Sequence, residues 1–248
     1  MKHPFNLRIL PWFSLGMGGI ALCARSWLYA AGTDEKGLFL PSHPALILSF
    51  VLSALFLGAL ALCVLSAKNT GSYRELFPRS ALCAAGNVIG GIGIIPTAAS
   101  LLVSRENNIY LLCGIAGIFA AIALVLRAWC RWKGRKPSFY LQGIVTVFLL
   151  MFCICRYRSW STEPQFGTYF FQLLACVLLM VYSYQCTAVD AGSGNLQMLT
   201  FTGQGALFFC LATLPDGDGF FFLTMALWCA AGTPSCAPAT GGDDLEAS

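Results

Sequence analysis

Eight side chains recur at three- and four-residue steps around one apolar stretch of this 248-residue chain. Gln165, Tyr169, Gln172, Cys176, Met180, Ser183, Thr187 and Asp190 share one face of a helix predicted over residues 166–189 and its ends. The other face is Phe170, Leu174, Val177, Leu178 and Val181. An amide such as Gln172 needs a partner in hydrocarbon, where nothing else accepts or donates a hydrogen bond. Two readings follow. The stripe lines a polar cavity open at one membrane face, or it bonds neighbouring helices, with Asn87 and Gln204 as candidate partners.

A second constellation gathers at helix ends: Arg25, Trp27, Arg156, Arg158, Trp160 and Glu163. Guanidinium groups beside indoles at a low-dielectric mouth capture an anionic solute by charge and by the fork geometry of arginine. The same residue types also serve as interfacial anchors. With Gln165, Tyr169, Gln172, Asn87 and Gln204 they make up the candidate polar site. The loop holding Arg131, Lys133, Arg135 and Lys136 either sets topology or binds anionic lipid headgroups, at about 1 kcal/mol per cation.

Other chemistry lacks its parts. The histidines are His3 and His43, and the twelve cysteines lie mostly inside apolar runs, where cysteine acts as a small hydrophobe. No C-x-x-C pair, Lys-Ser/Thr phosphate loop or Ser/His/Asp set is present in the sequence. No catalytic residue, metal or cofactor is therefore expected, and nothing favours nucleic acid as a partner.

The elements that position these residues follow from composition. Hydrophobic residues make up 57% of the chain and charged ones 10%, with a mean hydropathy of +0.71. A soluble domain carries roughly a quarter charged residues, so the solvent of most of this chain is lipid. Apolar runs predict spans over residues 9–31, 44–66, 81–103, 109–129, 142–155, 166–189 and 196–214. An eighth run, 220–231, is shorter than the roughly 17–25 residues that a crossing needs. The expectation is an all-α polytopic transmembrane bundle of seven or eight helices over residues 1–232. Residues 233–248, small, polar and acidic, are expected to be a disordered tail. In span three, Gly86-x-x-x-Gly90 is the small-residue spacing that lets membrane helices approach closely.

Alternate crossings divide the fifteen cations unequally. Ten fall on the side of the N-terminus and the Arg131 loop, and five on the side of Arg25, Arg156 and Arg158. The positive-inside rule then predicts a cytoplasmic N-terminus, with the cap at 156–165 outside. Arg25-Ser-Trp27 and Arg158-Ser-Trp160 end spans one and five alike, and Gly86-Asn87 falls near Gly203-Gln204 when spans one to four are laid over five to eight. That pattern suggests a parallel four-plus-four repeat.

The run Phe5-Asn-Leu-Arg-Ile-Leu-Pro-Trp-Phe13, with Arg25-Ser-Trp-Leu-Tyr-Ala30, Asp34-Glu-Lys-Gly37 and His43-Pro44, resembles bacterial multi-pass integral membrane proteins of no assigned activity. Tyr157–Gln165 and Tyr169–Cys176 are similar as well, and the likeness extends to about Trp228. It implies a bacterial cytoplasmic-membrane protein and carries over no catalytic residue. Three functions remain in order: a small-solute permease or binding component with an outward polar site, a non-transporting scaffold or assembly subunit, and a membrane-embedded enzyme.

Overall fold

A chain segment in hydrocarbon satisfies its backbone only by coiling on itself, so long apolar runs become helices. The computed structural model describes residues 10–33, 39–40, 42–66, 81–104, 108–160 and 166–232. Within them run α1 (Leu10–Ala31), α2 (Pro44–Ser66), α3 (Ala81–Ser104), α4 (Asn108–Trp132), α5 (Phe139–Trp160), α6 (Phe166–Ala191), α7 (Leu196–Ala212) and α8 (Gly219–Gly232). A single 3₁₀ turn, Leu214–Asp216, joins α7 to α8. No strand occurs among the described residues, only an isolated bridge between Thr33 and Phe39.

Five of these helices have the length and hydropathy to cross a membrane: Pro44–Leu65, Ala81–Val103, Asn108–Trp132, Phe139–Ser159 and Tyr169–Ala191. The chain is an all-α membrane bundle. The 22-residue α1 is not among the five. Its glycines, Ser14 and Arg25 dilute its hydropathy, yet both Ser14 and Arg25 are buried against neighbours.

Two helix ends run past their expected limits. The helix after residue 109 continues to Trp132, which takes Arg131 out of the basic loop. The helix after residue 142 continues to Trp160, so Arg156 and Arg158 are helical and not part of a cap. Arginine is a good helix former and suits a helix C-terminus, where the dipole favours a cation. Residues 161–165 and the tail from 233 onward lie outside the described residues.

Six helices pack in a ring: α3 on α4, α4 on α5, α5 on α6, α6 on α7, α7 on α8, and α8 back on α3. Helices α1 and α2 lie against α7. Aromatic rings fill the joints. Phe13, Phe56 and Phe208 stack across α1, α2 and α7, with centroids 5.8 and 4.2 Å apart, and Phe152 meets Phe221 between α5 and α8 at 4.8 Å. These pairings lend the four-plus-four repeat no support. A twofold relation matching α1 with α5 and α3 with α7 would turn the α1–α7 contact into an α5–α3 contact, and the described residues make no such substantial pairing.

Close packing of α8 depends on glycine. A Cβ on Gly86 would strike Ala231, and one on Gly90 would come within 3.1 Å of Trp228. Gly93, one turn further along the same stripe, faces Thr224. The small-residue face of α3 therefore serves an internal joint.

The short α8 runs the full distance between two charged layers. It starts beside Asp216 and Asp218, and ends with Trp228 bonded to Asn87 and the Ala231 carbonyl accepting from Cys83. Fourteen residues at 1.5 Å each span about 21 Å. The loop at 133–138 and the Arg156 turn of helix lie at opposite ends of α5, as the alternation of crossings requires.

Candidate functional site

The first charged layer is built on the turn between α7 and α8. Thr213 stops α7, its N–H donating to the Phe209 carbonyl at 3.0 Å and its hydroxyl to the Cys210 carbonyl at 3.0 Å. Pro215 then opens the 3₁₀ turn. Gly217 (φ 97°) and Asp218 (φ 42°) both take left-handed backbone. Glycine does so freely; a non-glycine residue there is uncommon and costs of order 1–3 kcal/mol.

That conformation presents two carboxylates, two residues apart, to arginines from different helices. Arg25 of α1 donates to Asp216 Oδ1 from Nη2 at 2.6 Å and from Nε at 3.2 Å. Arg156 of α5 pairs with Asp218. Gln172 of α6 donates to the Asp216 main-chain carbonyl at 2.8 Å. The Arg25 guanidinium also lies 4.2 Å from the centroid of the Phe171 ring. Three helices thus clasp one turn.

Arg25 is wholly buried at 0% exposure, yet its Nη1 has no hydrogen-bond partner among the described residues, and neither has Arg156 Nε. Burial pushes the Asp216 carboxyl above its ordinary range, while the Arg25 charge, its hydrogen bonds and the nearby Tyr29 hydroxyl pull it back.

The second layer lies at the other end. Arg127 of α4 donates to Asp190 Oδ2 from Nη2 at 2.9 Å and from Nε at 3.2 Å, and to Asn87 Oδ1 from Nη1 at 3.4 Å. Arg131, one turn on, donates to Asp190 Oδ1 at 3.2 Å. The Trp228 indole donates to Asn87 Oδ1 at 3.1 Å. Asp190 ends α6, where the helix dipole opposes a negative charge; two guanidinium groups offset that. Beside this cluster lies a cavity of about 10 Å³, lined by Cys83, Tyr182, Cys186 and Trp228 among others. It has room for roughly one water.

The candidate residues divide between these layers. Arg25, Arg156 and Gln172 converge on the clasp. Trp27 points away, 49% exposed and edge-on to His43 at 5.5 Å. Arg158 is exposed and Tyr169 half-buried. Glu163, Gln165 and the Trp160 side chain lie outside the described residues. Asn87 belongs to the Arg127 layer, and Gln204 is fully buried within α7. Gln172 bonds the 213–218 turn and neither of the two amides expected as its partners.

The α6 stripe is split in the same way. Gln142 of α5 donates to Ser183 at 2.7 Å, and Thr146 shares hydrogen bonds with Ser183 at 2.9 Å and Thr187 at 3.4 Å. That half of the stripe joins α5 to α6. The half nearer Gln172 serves the clasp. Sequence reasoning missed Asp190, Asp216 and Asp218 as partners. A carboxylate at the C-terminal end of an apolar helix was the available signal for Asp190, and the Asp-Gly-Asp-Gly run for the turn.

No family model, curated protein or solved structure matches this chain.

Proposed function

We propose that this protein is a small-solute permease or membrane binding component of a bacterial cytoplasmic membrane, with its N-terminus inside and the Arg25–Asp216 clasp toward the outer face. The solute class is a small organic anion. The observation that carries this reading is the fully buried Arg25 with a donor left over. A buried guanidinium is costly unless its donors are met, and Arg25 Nη1 together with Arg156 Nε offers an incoming carboxylate two sites. The left-handed backbone of Asp218 adds a turn held away from its relaxed form by the two ion pairs. A solute that competes for either arginine would release it. The distribution of Lys and Arg supports the orientation.

The test is ligand-dependent thermal stabilisation in detergent, with a panel of small mono- and dicarboxylates, followed by uptake into proteoliposomes. At least one carboxylate should stabilise the native protein and fail to stabilise the charge-neutral pair Arg25→Gln with Asp216→Asn. If no panel member shifts the native protein, or the shift survives in the double variant, the anion reading is wrong.

A scaffold or assembly subunit is the second reading, and one observation favours it. The ring interior is filled with side chains, including Phe148, Phe152, Phe171, Phe208, Phe209 and Trp228, all at 0–1% exposure. Under that reading the double variant changes stability alone.

A further inference from the structure

The outer surface of the bundle carries a groove that the clasp does not use. It lies over α4, α5 and the end of α6, is lined by Phe119, Tyr140, Gly143, Ile144 and Val147 among others, and encloses about 670 Å³. Its wall is apolar. Glycine makes part of the depression: a Cβ added at Gly143 would meet nothing within 4 Å. From Tyr140 to Val147 the groove follows seven residues of α5, about 10 Å of rise. That is about two-thirds of one leaflet of a 30 Å hydrocarbon core.

A cationic loop leads into the groove-lining residues of α5. The loop between α4 and α5 exposes Lys133, Arg135 and Lys136 immediately before Phe139 and Tyr140. Gly134, with φ 66°, turns the chain there, and the Arg135 N–H caps α4 on the Cys130 carbonyl at 2.9 Å. Lys133 sits 4.1 Å from the centroid of the Trp129 ring. Tyr140 is 70% exposed and its ring lies tilted against Phe139 with centroids 4.0 Å apart, an aromatic pair of the kind that sits at the headgroup boundary. Arg131, grouped with these cations by sequence, is buried on Asp190.

We propose that the groove and this loop together form a site for one anionic glycerophospholipid. An acyl chain lies along Gly143, Ile144 and Val147, and the phosphate is held by Lys133, Arg135 and Lys136. Electrostatics choose the headgroup and the groove holds the chain, so the site requires both halves in one molecule. A zwitterionic lipid fills the groove without satisfying the loop. A free phosphate meets the loop without satisfying the groove.

Native mass spectrometry of the detergent-purified full chain tests this, titrated with phosphatidylglycerol against phosphatidylcholine of the same acyl composition. One phosphatidylglycerol should be retained in preference. Arg135→Gln with Lys136→Gln should weaken that preference about thirtyfold, on the order of fivefold per cation. Gly143→Leu fills the groove with a residue that helices favour over glycine, so it should reduce retention of phosphatidylglycerol while the melting temperature holds. Glycerol phosphate, which lacks acyl chains, should not compete. Equal retention of both lipids would mean an ordinary lipid annulus and would overturn the proposal. So would retention unchanged by Gly143→Leu, or competition by glycerol phosphate.

Discussion

Replacing Asp190 by asparagine keeps the shape of the second charged layer and removes the anion that pairs with Arg127 and Arg131. In the native protein its two oxygens accept three hydrogen bonds, from Arg127 Nε and Nη2 and from Arg131 Nη2. Asp190→Asn leaves two guanidinium groups, at 5% and 6% side-chain exposure, facing a neutral amide. Breaking a buried pair in this way costs about 3–5 kcal/mol. Arg131→Met should cost less, about 1–3 kcal/mol, because Arg127 and Asp190 remain a charge-neutral pair with two hydrogen bonds. Arg127→Met should fall between or above, since it also loses its bond to Asn87. For a chain of this size 1 kcal/mol moves the midpoint about 2–4 °C, so Asp190→Asn should lower it by roughly 6–20 °C. The assay is thermal denaturation in detergent, followed by the monodisperse peak on size exclusion. If Asp190→Asn and Arg131→Met lower the midpoint equally, the cluster is not held by charge balance.

Gly90→Leu drives a side chain into Trp228 and should destabilise by about 1–3 kcal/mol, whereas Gly143→Leu should stay within about 0.5 kcal/mol of native; equal effects would contradict the packing of α3 on α8. Gln142→Leu removes the bond to Ser183 and should cost about 0.6–1.7 kcal/mol in the same melt, with no loss disproving a contribution from that cluster. In a background without native cysteines, Ser138→Cys and Gly217→Cys should react with an impermeant maleimide from opposite faces of a sealed vesicle. Labelling of both from one face would overturn the placement of the 213–218 turn at the opposite end of the bundle from the start of α5.

The apolar runs alone were enough to find seven of the eight helices, because a segment excluded from water has a single way to bond its backbone. The eighth was ambiguous for a physical reason. Length limits on spans assume a helix that reaches both headgroup layers by itself, and α8 does not need to. It is flanked by α3 and α7, and Phe221, Phe222, Met225 and Trp228 are buried against the bundle. The site was legible only in part. Arg25, Arg156 and Gln172 stand out because polar groups in apolar helices are rare. Their partners in the 213–218 turn sit 62 and 191 residues away along the chain for Arg156 and Arg25 respectively, and no periodicity reaches across a loop. Gln172 and Asn87 share a residue class and a helical setting, which made them natural partners on paper. They belong to layers at opposite ends of the bundle.

The depth of those layers explains why they are paired at all. The clasp begins α8 and the Asn87–Trp228 bond lies nine residues from its start, so about 14 Å separates the two along that helix. Along α6 the distance from Gln172 to Asp190 is 18 residues, about 27 Å. Both lengths are less than the 30 Å of a typical hydrocarbon core. Arg25 and Arg127 are buried in these clusters, where an arginine cannot rely on headgroups and water. Arg158, at the end of α5, and Arg135, past the end of α4, are exposed. Arg25 and Arg127 are buried, and each meets a carboxylate within 3 Å. Buried charge in this bundle is committed to another part of the chain, with the spare donor of Arg25 as the place where that commitment is incomplete.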